Sequence, residues 1–95
     1  MSEEKVVQKG YRISGRVQGV FFRAWTRQKA LEIGLAGTVM NRPDGTVEAH
    51  LRGPETKVAR LEGMLWDGPP ASMVEAVEVL DSSPPLTADG FEILH

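Results

Sequence analysis

The pattern of hydrophobic and polar residues predicts a strand followed by an amphipathic helix at the start of the chain. Over residues 6–14 the side chains alternate, which places Tyr11 and Ile13 on one face of a strand. Residues 22–33 instead recur at helical spacing, and Gly34 follows at the position where helices commonly end. The predicted apolar stripe of this helix consists of Phe22, Trp25, Thr26, Ala30 and Ile33.

The middle of the chain predicts a β-hairpin and a second helix. Residues 36–42 and 46–52 favour strands, and the segment Pro43-Asp44-Gly45 between them is typical of a turn. The second helix is expected to begin at Gly53-Pro54, with proline at its first position, and to end at Gly68-Pro69-Pro70. Its predicted buried stripe consists of Val58, Leu61 and Leu65.

Two further strands are predicted in the last quarter of the chain. In the fourth strand, residues 73–80, Val77 and Val79 share a face while Val74 falls on the other, a pattern that allows a β-bulge. Residues 91–94 favour a short last strand after the break at Ser83-Pro84-Pro85.

The resulting order is βαββαβ with an added terminal strand. This order is typical of the split βαβ arrangement, in which two right-handed crossovers interleave. We therefore predict one α+β domain over residues 1–95, a ferredoxin-like sandwich with an antiparallel sheet and both helices on one face. Residues 1–5 are expected to form a flexible N-terminus. Because many unrelated functions use this fold, the function has to be inferred from a site.

Composition narrows the class of protein. A length of 95 residues suits one small domain, and the absence of cysteine excludes disulfides, thiolate metal sites and a cysteine nucleophile. The net charge of -2 argues against a nucleic-acid-binding surface. No stretch is long enough to span a membrane, and the charged residues at the N-terminus are not expected to form a secretory signal. We therefore expect a cytoplasmic monomer with neither nucleic acid nor membrane as a partner.

The most informative segment is GRVQGVFFR, from Gly15 to Arg23, which joins the first strand to the first helix. Loop amides, the helix N-terminus and the Arg23 guanidinium are expected to converge on a phosphate or a carboxylate. The alternative is a glycine-rich connection that binds nothing. Arg23 argues against this alternative, because a basic residue is less favourable at a helix start when no anion is bound.

Asn41, at the end of the second predicted strand, is the second candidate. An asparagine before a turn usually caps nearby backbone, but its carboxamide also has the donor and the acceptor needed to orient a water molecule. Neither His50 in the third strand nor His95 at the last position is expected at the site, and no residues have metal-ligand spacing. The scattered acidic side chains are expected to be solvated: Glu48, Glu55, Glu62, Glu75 and Glu78.

A site without an obvious general acid, general base or nucleophile requires a reactive substrate. An acyl phosphate meets this requirement, because it expels a carboxylate whose conjugate acid has a pKa of about 4. Phosphoryl transfer relies mainly on positioning and on charge stabilisation. The residues therefore favour an acyl phosphate over a stable phosphomonoester, and inorganic phosphate or sulfate is also expected to occupy the loop.

These residues together resemble the acylphosphatase family. The segment from Gly15 to Arg23 matches the signature Gly-Arg-Val-Gln-Gly-Val-x-Phe-Arg at every fixed position. The second signature, Gly-x-Val-x-Asn followed by Asp-Gly-x-Val, matches between Gly37 and Val47. The resemblance extends from about Tyr11 to about Leu94.

The resemblance implies hydrolysis of the carboxyl–phosphate bond to a carboxylate and inorganic phosphate, without a metal or other cofactor. Arg23 then corresponds to the arginine that binds the phosphate, and Asn41 to the asparagine that positions the attacking water. The substrate phosphate itself is a candidate acceptor for the proton of that water. The implied phosphate-binding loop consists of Gln18, Gly19, Val20, Phe21 and Phe22.

Two positions depart from a common form of the family pattern. Thr38 stands where relatives often carry an aromatic residue, and Met40 where they often carry a basic one. The loss of a nearby charge is expected to bear on substrate capture rather than on the type of reaction.

Two other classes of function stay open at this point. A non-catalytic anion-binding or regulatory module on the same fold would bind phosphate without hydrolysing an acyl phosphate. An RNA-binding domain would share the βαββαβ order, but the third predicted strand has no aromatic residue on which a base could stack.

Overall fold

The structure is a computed structural model that describes residues 4–86 and 89–95. Residues 1–3, part of the expected flexible N-terminus, lie outside this range. Lys5 is described, and its carbonyl accepts a hydrogen bond from the amide of Glu55 over 2.9 Å. The elements are β1 (Val6–Arg16), α1 (Phe22–Ile33), β2 (Ala36–Asn41), β3 (Val47–Pro54), α2 (Glu55–Leu65), β4 (Met73–Val79) and β5 (Phe91–Leu94).

The strands form one sheet in the order β4-β1-β3-β2-β5. The pairs β1–β3, β1–β4 and β2–β3 are antiparallel, and they confirm the predicted βαββαβ unit. The prediction of a wholly antiparallel sheet is wrong for β5, which pairs in parallel with β2. The reason is topological. After β4, the chain crosses from one edge of the sheet to the other, and β5 then runs in the direction of β2.

The core lies between the sheet and the two helices, as the pattern of apolar residues predicts. Alternate residues of β1, β2 and β3 are fully buried there: Tyr11, Ile13, Val39, Val47, Ala49 and Leu51. The two helices bury Phe22, Thr26, Ala30 and Ile33 from α1, and Val58, Leu61 and Leu65 from α2. Within the described residues, neither helix is long and apolar enough to cross a membrane.

The predicted β-bulge lies in β4 and changes where the first loop begins. Ser14 pairs with Ala76 and Gly15 pairs with Val74, so Glu75 is the extra residue. Gly15 has a φ of 118°, and a Cβ atom there would lie 2.2 Å from the carbonyl oxygen of Met73. Only glycine allows this approach. Pairing across the bulge extends β1 two residues beyond its predicted end, so that the loop begins at Val17.

The start of α2 also differs from the prediction. Pro54 is the N-cap residue, with a ψ of 138°, and the helix begins at Glu55. Gly53 and Pro54 still belong to β3, where they lie opposite Val7 and Val6 of β1. Strand pairing therefore holds Pro54 in an extended conformation and delays the helix by one residue.

The face of the sheet opposite the helices is covered by the segment that leads from β4 towards β5. Ser83 in this segment lies 2.6 Å from His50 Nδ1 and accepts a hydrogen bond from the Gln8 amide over 2.8 Å. The Arg52 guanidinium donates to the carbonyl of Leu86 over 3.2 Å. His50 is therefore buried.

Two of the acidic residues expected to be solvated are instead partners of specific groups. Glu48 accepts a hydrogen bond from Arg42 over 2.7 Å and lies 2.7 Å from His50 Nε2. The hydrogen bond with His50, and then the charges of His50 and Arg42, lower the pKa of Glu48. Glu62 accepts a hydrogen bond of 2.6 Å from the hydroxyl of Tyr11. The pairings of Glu48 with Arg42 and of Glu62 with Tyr11 could not be predicted, since they depend on strand register and on sheet–helix packing.

Candidate active site

The loop between β1 and α1 has the backbone form of an anion-binding concavity. Gly19 has a φ of 75° and Phe21 a φ of 64°, with Val20 between them. Alternation of left-handed and right-handed residues turns successive backbone N–H groups towards one point. Phe21 is the only non-glycine residue with positive φ in the described part of the chain. The loop thus adopts a conformation that an ordinary connection does not need.

The N-terminus of α1 adds to this concavity. Phe21 is the N-cap residue and makes no side-chain capping hydrogen bond, and the first turn contains no acidic residue. By contrast, α2 has Glu55 in its first turn. The first N–H groups of a helix have no partner within the helix and carry partial positive charge. With Arg23 in the same turn, the start of α1 attracts an anion.

Asn41 reaches the same region from the sheet, because the loop and the β2–β3 turn are tied together. The Gln18 side chain donates hydrogen bonds to the carbonyls of Arg42, over 2.8 Å, and of Thr46, over 2.9 Å. Within the turn, Asp44 accepts hydrogen bonds from the hydroxyl of Thr46 over 2.6 Å and from its amide over 3.0 Å. These two bonds lower the pKa of Asp44. The turn predicted for this segment is present, and it begins directly after Asn41 at the end of β2.

The Asn41 carboxamide itself does not cap the turn. Its oxygen, Oδ1, is buried and has no hydrogen-bond donor among the described residues. A buried carboxamide oxygen without a partner is costly, because it has lost its hydrogen bonds to water. Since Asn41 lines a cleft, a molecule bound in that cleft can supply the donor.

The cleft has a volume of about 310 Å³ and brings together most of the predicted site. Gln18 and Val20 do not line it: the Gln18 side chain holds the turn, and Val20 is packed in the core. Any part that these two residues play in anion binding must therefore come from their backbone. The residues that line the cleft are Val17, Gly19, Phe21, Phe22, Arg23, Ala24, Asn41, Ile93 and His95.

His95 is a polar residue of the cleft that was not predicted from the sequence. Its Nδ1 atom lies 3.4 Å from Nη1 of Arg23, so the expectation that neither histidine is placed at the site is wrong. The reason is the parallel pairing of β5 with β2, which places the C-terminal ends of both strands at the same end of the sheet. The alternation of Phe91 and Ile93 predicted the strand, but no local signal reports its direction or its neighbour.

The two positions that depart from the family pattern lie away from the cleft. Thr38 pairs with His50 and Met40 with Glu48, and both line a groove on the sheet face opposite the helices. Arg16 is exposed and does not line the cleft. Within residues 4–86 and 89–95, no three His, Asp or Glu side chains form a group that could hold a metal ion.

Comparison with known proteins identifies the family to which this arrangement corresponds. The family model named Acylphosphatase matches residues 9–93. The chain belongs to the acylphosphatase family. An acylphosphatase of Rhizorhabdus wittichii is 47% identical over 79 residues, which cover 83% of this chain and 79% of the relative.

Solved acylphosphatase structures have the same fold. The crystal structure of the acylphosphatase from Bacillus subtilis matches with a TM-score of 0.86 and 34% identity, over 96% of this chain and 100% of that chain. The acylphosphatase from Coxiella burnetii matches with a TM-score of 0.88 and 32% identity, over 99% of this chain and 100% of that chain. The resemblance based on two short signatures therefore extends to nearly the whole acylphosphatase domain.

Proposed function

We propose that this chain hydrolyses acyl phosphates, with Arg23 and the loop from Gln18 to Phe22 binding the phosphoryl group and Asn41 positioning the attacking water. Acylphosphatase activity follows from membership of the family. The division of roles among the residues is inferred from the chemistry of the cleft.

The observation that carries the proposal is the presence of two chemically different groups in one cleft. Arg23 presents a guanidinium, and none of the ion pairs among the described residues involves it. Asn41 presents a buried carboxamide oxygen without a donor. A guanidinium binds two phosphoryl oxygens at once, whereas a carboxamide oxygen accepts a hydrogen bond from a water molecule. Together they provide for both reactants of a hydrolysis.

The reaction needs little further machinery. The oxygen of the water held by Asn41 forms a bond to phosphorus, and the bond between phosphorus and the acyl oxygen breaks. The electron pair leaves with the carboxylate, and a proton of the water passes to a phosphoryl oxygen to give inorganic phosphate. Arg23, the loop amides and the N-terminus of α1 stabilise the charge on the phosphoryl oxygens, which is the main contribution that a protein makes to this type of transfer.

Asn41→Ala tests the assignment of the water. We expect turnover of benzoyl phosphate at saturation to fall by about 100-fold, because misplacement of a reactant by about 1 Å can cost that much. Inhibition by inorganic phosphate is expected to change little, since Arg23 and the loop remain. Thr38→Ala is the matched control, because Thr38 belongs to the same strand but faces away from the cleft. Wild-type turnover in Asn41→Ala would show that another group positions the water.

The same assay separates the proposal from the alternative of a regulatory module. Phosphate binding by the wild-type protein without hydrolysis of any acyl phosphate would favour the module. EDTA in the assay tests the prediction that no metal is needed, and retained activity is the expected result. A monomeric state and a cytoplasmic location belong to the same proposal, and light scattering and cell fractionation test them.

A further inference from the structure

Phe21 combines two properties that are unfavourable for a phenylalanine. Its side chain is 84% exposed, the largest exposed fraction among the exposed large hydrophobic residues of the described chain. Its backbone is left-handed, with φ 64° and ψ 25°. Glycine adopts this conformation with much less strain, so the form of the loop does not by itself call for an aromatic side chain. An outlier of this kind at a cleft suggests a role in binding.

The cleft has room for more than a phosphoryl group, and much of its wall is apolar. Its volume of about 310 Å³ is at the lower end of the range for small-molecule sites. The anion-binding and water-binding groups are Arg23 and Asn41, with His95 beside the guanidinium. The other lining side chains include Phe21, Ala24 and Ile93, which have no use for a phosphate. No carboxylate side chain is among the described residues that line the cleft.

The geometry of phosphoryl transfer indicates where the acyl group lies. The attacking and the leaving oxygen stand roughly in line on opposite sides of the phosphorus. Asn41, which would hold the water, is contributed by β2, whereas Phe21 is contributed by the loop that precedes α1. The acyl group therefore points away from Asn41, and Phe21 is the most exposed large apolar residue among those that line the cleft.

We propose that the ring of Phe21 binds the acyl part of the substrate, so that the enzyme selects apolar, and above all aromatic, acyl groups over small ones. The proposal rests on the hydrolysis of acyl phosphates proposed above. An aromatic acyl group packs against the Phe21 ring in an offset or edge-to-face arrangement. An acetyl group is too small to cover it.

Phe21→Gly and Phe21→Ala test this assignment with benzoyl phosphate and acetyl phosphate as the two substrates. The readout is the ratio of kcat/KM for benzoyl phosphate to kcat/KM for acetyl phosphate. When this ratio is compared between variants, the intrinsic reactivities of the two substrates cancel. A loss of kcat/KM that is equal for both substrates, such as one caused by a changed loop, cancels as well. We expect the ratio to fall three- to tenfold in both variants, the range measured for aromatic pairs.

Two comparisons sharpen the result. Phe21→Gly suits the left-handed backbone and Phe21→Ala does not, so a fall of the ratio in both variants assigns the effect to the ring rather than to strain. Leu31→Ala is the matched control. Leu31 is an exposed apolar residue of α1, 47% exposed, that does not line the cleft, and its loss is expected to leave the ratio unchanged.

A ratio in Phe21→Gly equal to that of the wild type overturns the assignment while leaving acyl phosphate hydrolysis intact. The assignment is also overturned if light scattering shows a wild-type dimer that Phe21→Gly dissociates while the ratio stays the same, because the ring then serves an interface. Failure of the wild-type protein to hydrolyse either substrate would instead contradict the proposed function.

Discussion

Replacement of Arg23 by alanine is expected to abolish most of the activity without weakening the fold. Arg23 lies in the first turn of α1, where the helix dipole disfavours a positive charge and where no acidic residue offsets it. Its one side-chain hydrogen-bond contact among the described residues is the 3.4 Å approach to His95 Nδ1. Removal of the Arg23 side chain therefore leaves no buried polar group without its hydrogen-bond partner. We expect the free energy of unfolding to stay the same or to rise by about 0.3–1 kcal/mol at low salt.

The same substitution is expected to impair catalysis, and this effect is larger than the effect on stability. Loss of a preorganised group that stabilises developing charge commonly costs about 100- to 1000-fold, or about 3–4 kcal/mol. Arg23→Ala also removes the positive charge that we propose binds the phosphoryl group, so the loss is expected in kcat/KM for benzoyl phosphate. Arg23→Lys keeps the charge but not the two-pronged contact, and it should recover only part of the activity.

Ligand-linked stability provides an independent readout. Sulfate at ten times its dissociation constant should stabilise the wild-type protein by about 1.4 kcal/mol, which raises its Tm by roughly 6–11 °C. The same sulfate concentration should shift the Tm of Arg23→Ala much less. Arg60→Ala, which removes a positive charge from the exposed face of α2, is the matched control and should retain the full sulfate shift. Arg23→Ala that stays folded and keeps more than about a tenth of kcat/KM would refute the reasoning.

Two further predictions concern the scaffold. Gly15→Ala should destabilise the protein by about 2–5 kcal/mol, because a left-handed alanine is strained and its Cβ would lie 2.2 Å from the Met73 carbonyl oxygen. Gly63→Ala, at an open helical position, should instead stabilise it by about 0.5–1 kcal/mol in urea unfolding. If Gly15→Ala were no less stable than the wild type, the close approach at the bulge would be wrong. Glu48 has a lowered pKa, so its contribution to stability is present above its unfolded pKa, near 4.5, and is lost as the pH falls through the folded value. We therefore expect the difference in free energy of unfolding between the wild type and Glu48→Gln, measured by urea unfolding from pH 7 to pH 3, to become smaller in acid. A difference that stays constant over this pH range would contradict the assigned pairing with His50.

Most of the fold could be predicted from sequence because its determinants are local. Helix α1 begins and ends where the apolar stripe and Gly34 place it, and Gly34 has the expected positive φ of 95°. The bulge in β4 could be inferred from the break in alternation at Val74. The direction of β5 could not be inferred, since a strand has the same residue pattern whether its neighbour is parallel or antiparallel. The position of Pro54 was missed because strand pairing overrode its usual role at a helix start.

The candidate site also contains residues that could be predicted from the sequence and residues that could not. Gly19, Arg23 and Asn41 could be identified from two short signatures, because each signature contains its own turn or helix start. The sequence alone was therefore enough to infer the loop between β1 and α1, the βαββαβ order and the family. Three features could be seen only in the folded chain: Gln18 ties the loop to the β2–β3 turn, His95 approaches Arg23, and Phe21 is exposed where it lines the cleft. Each of these features depends on which strands are neighbours in the sheet and on the direction in which a side chain points. The spacing of residues along the chain predicts neither of these two properties.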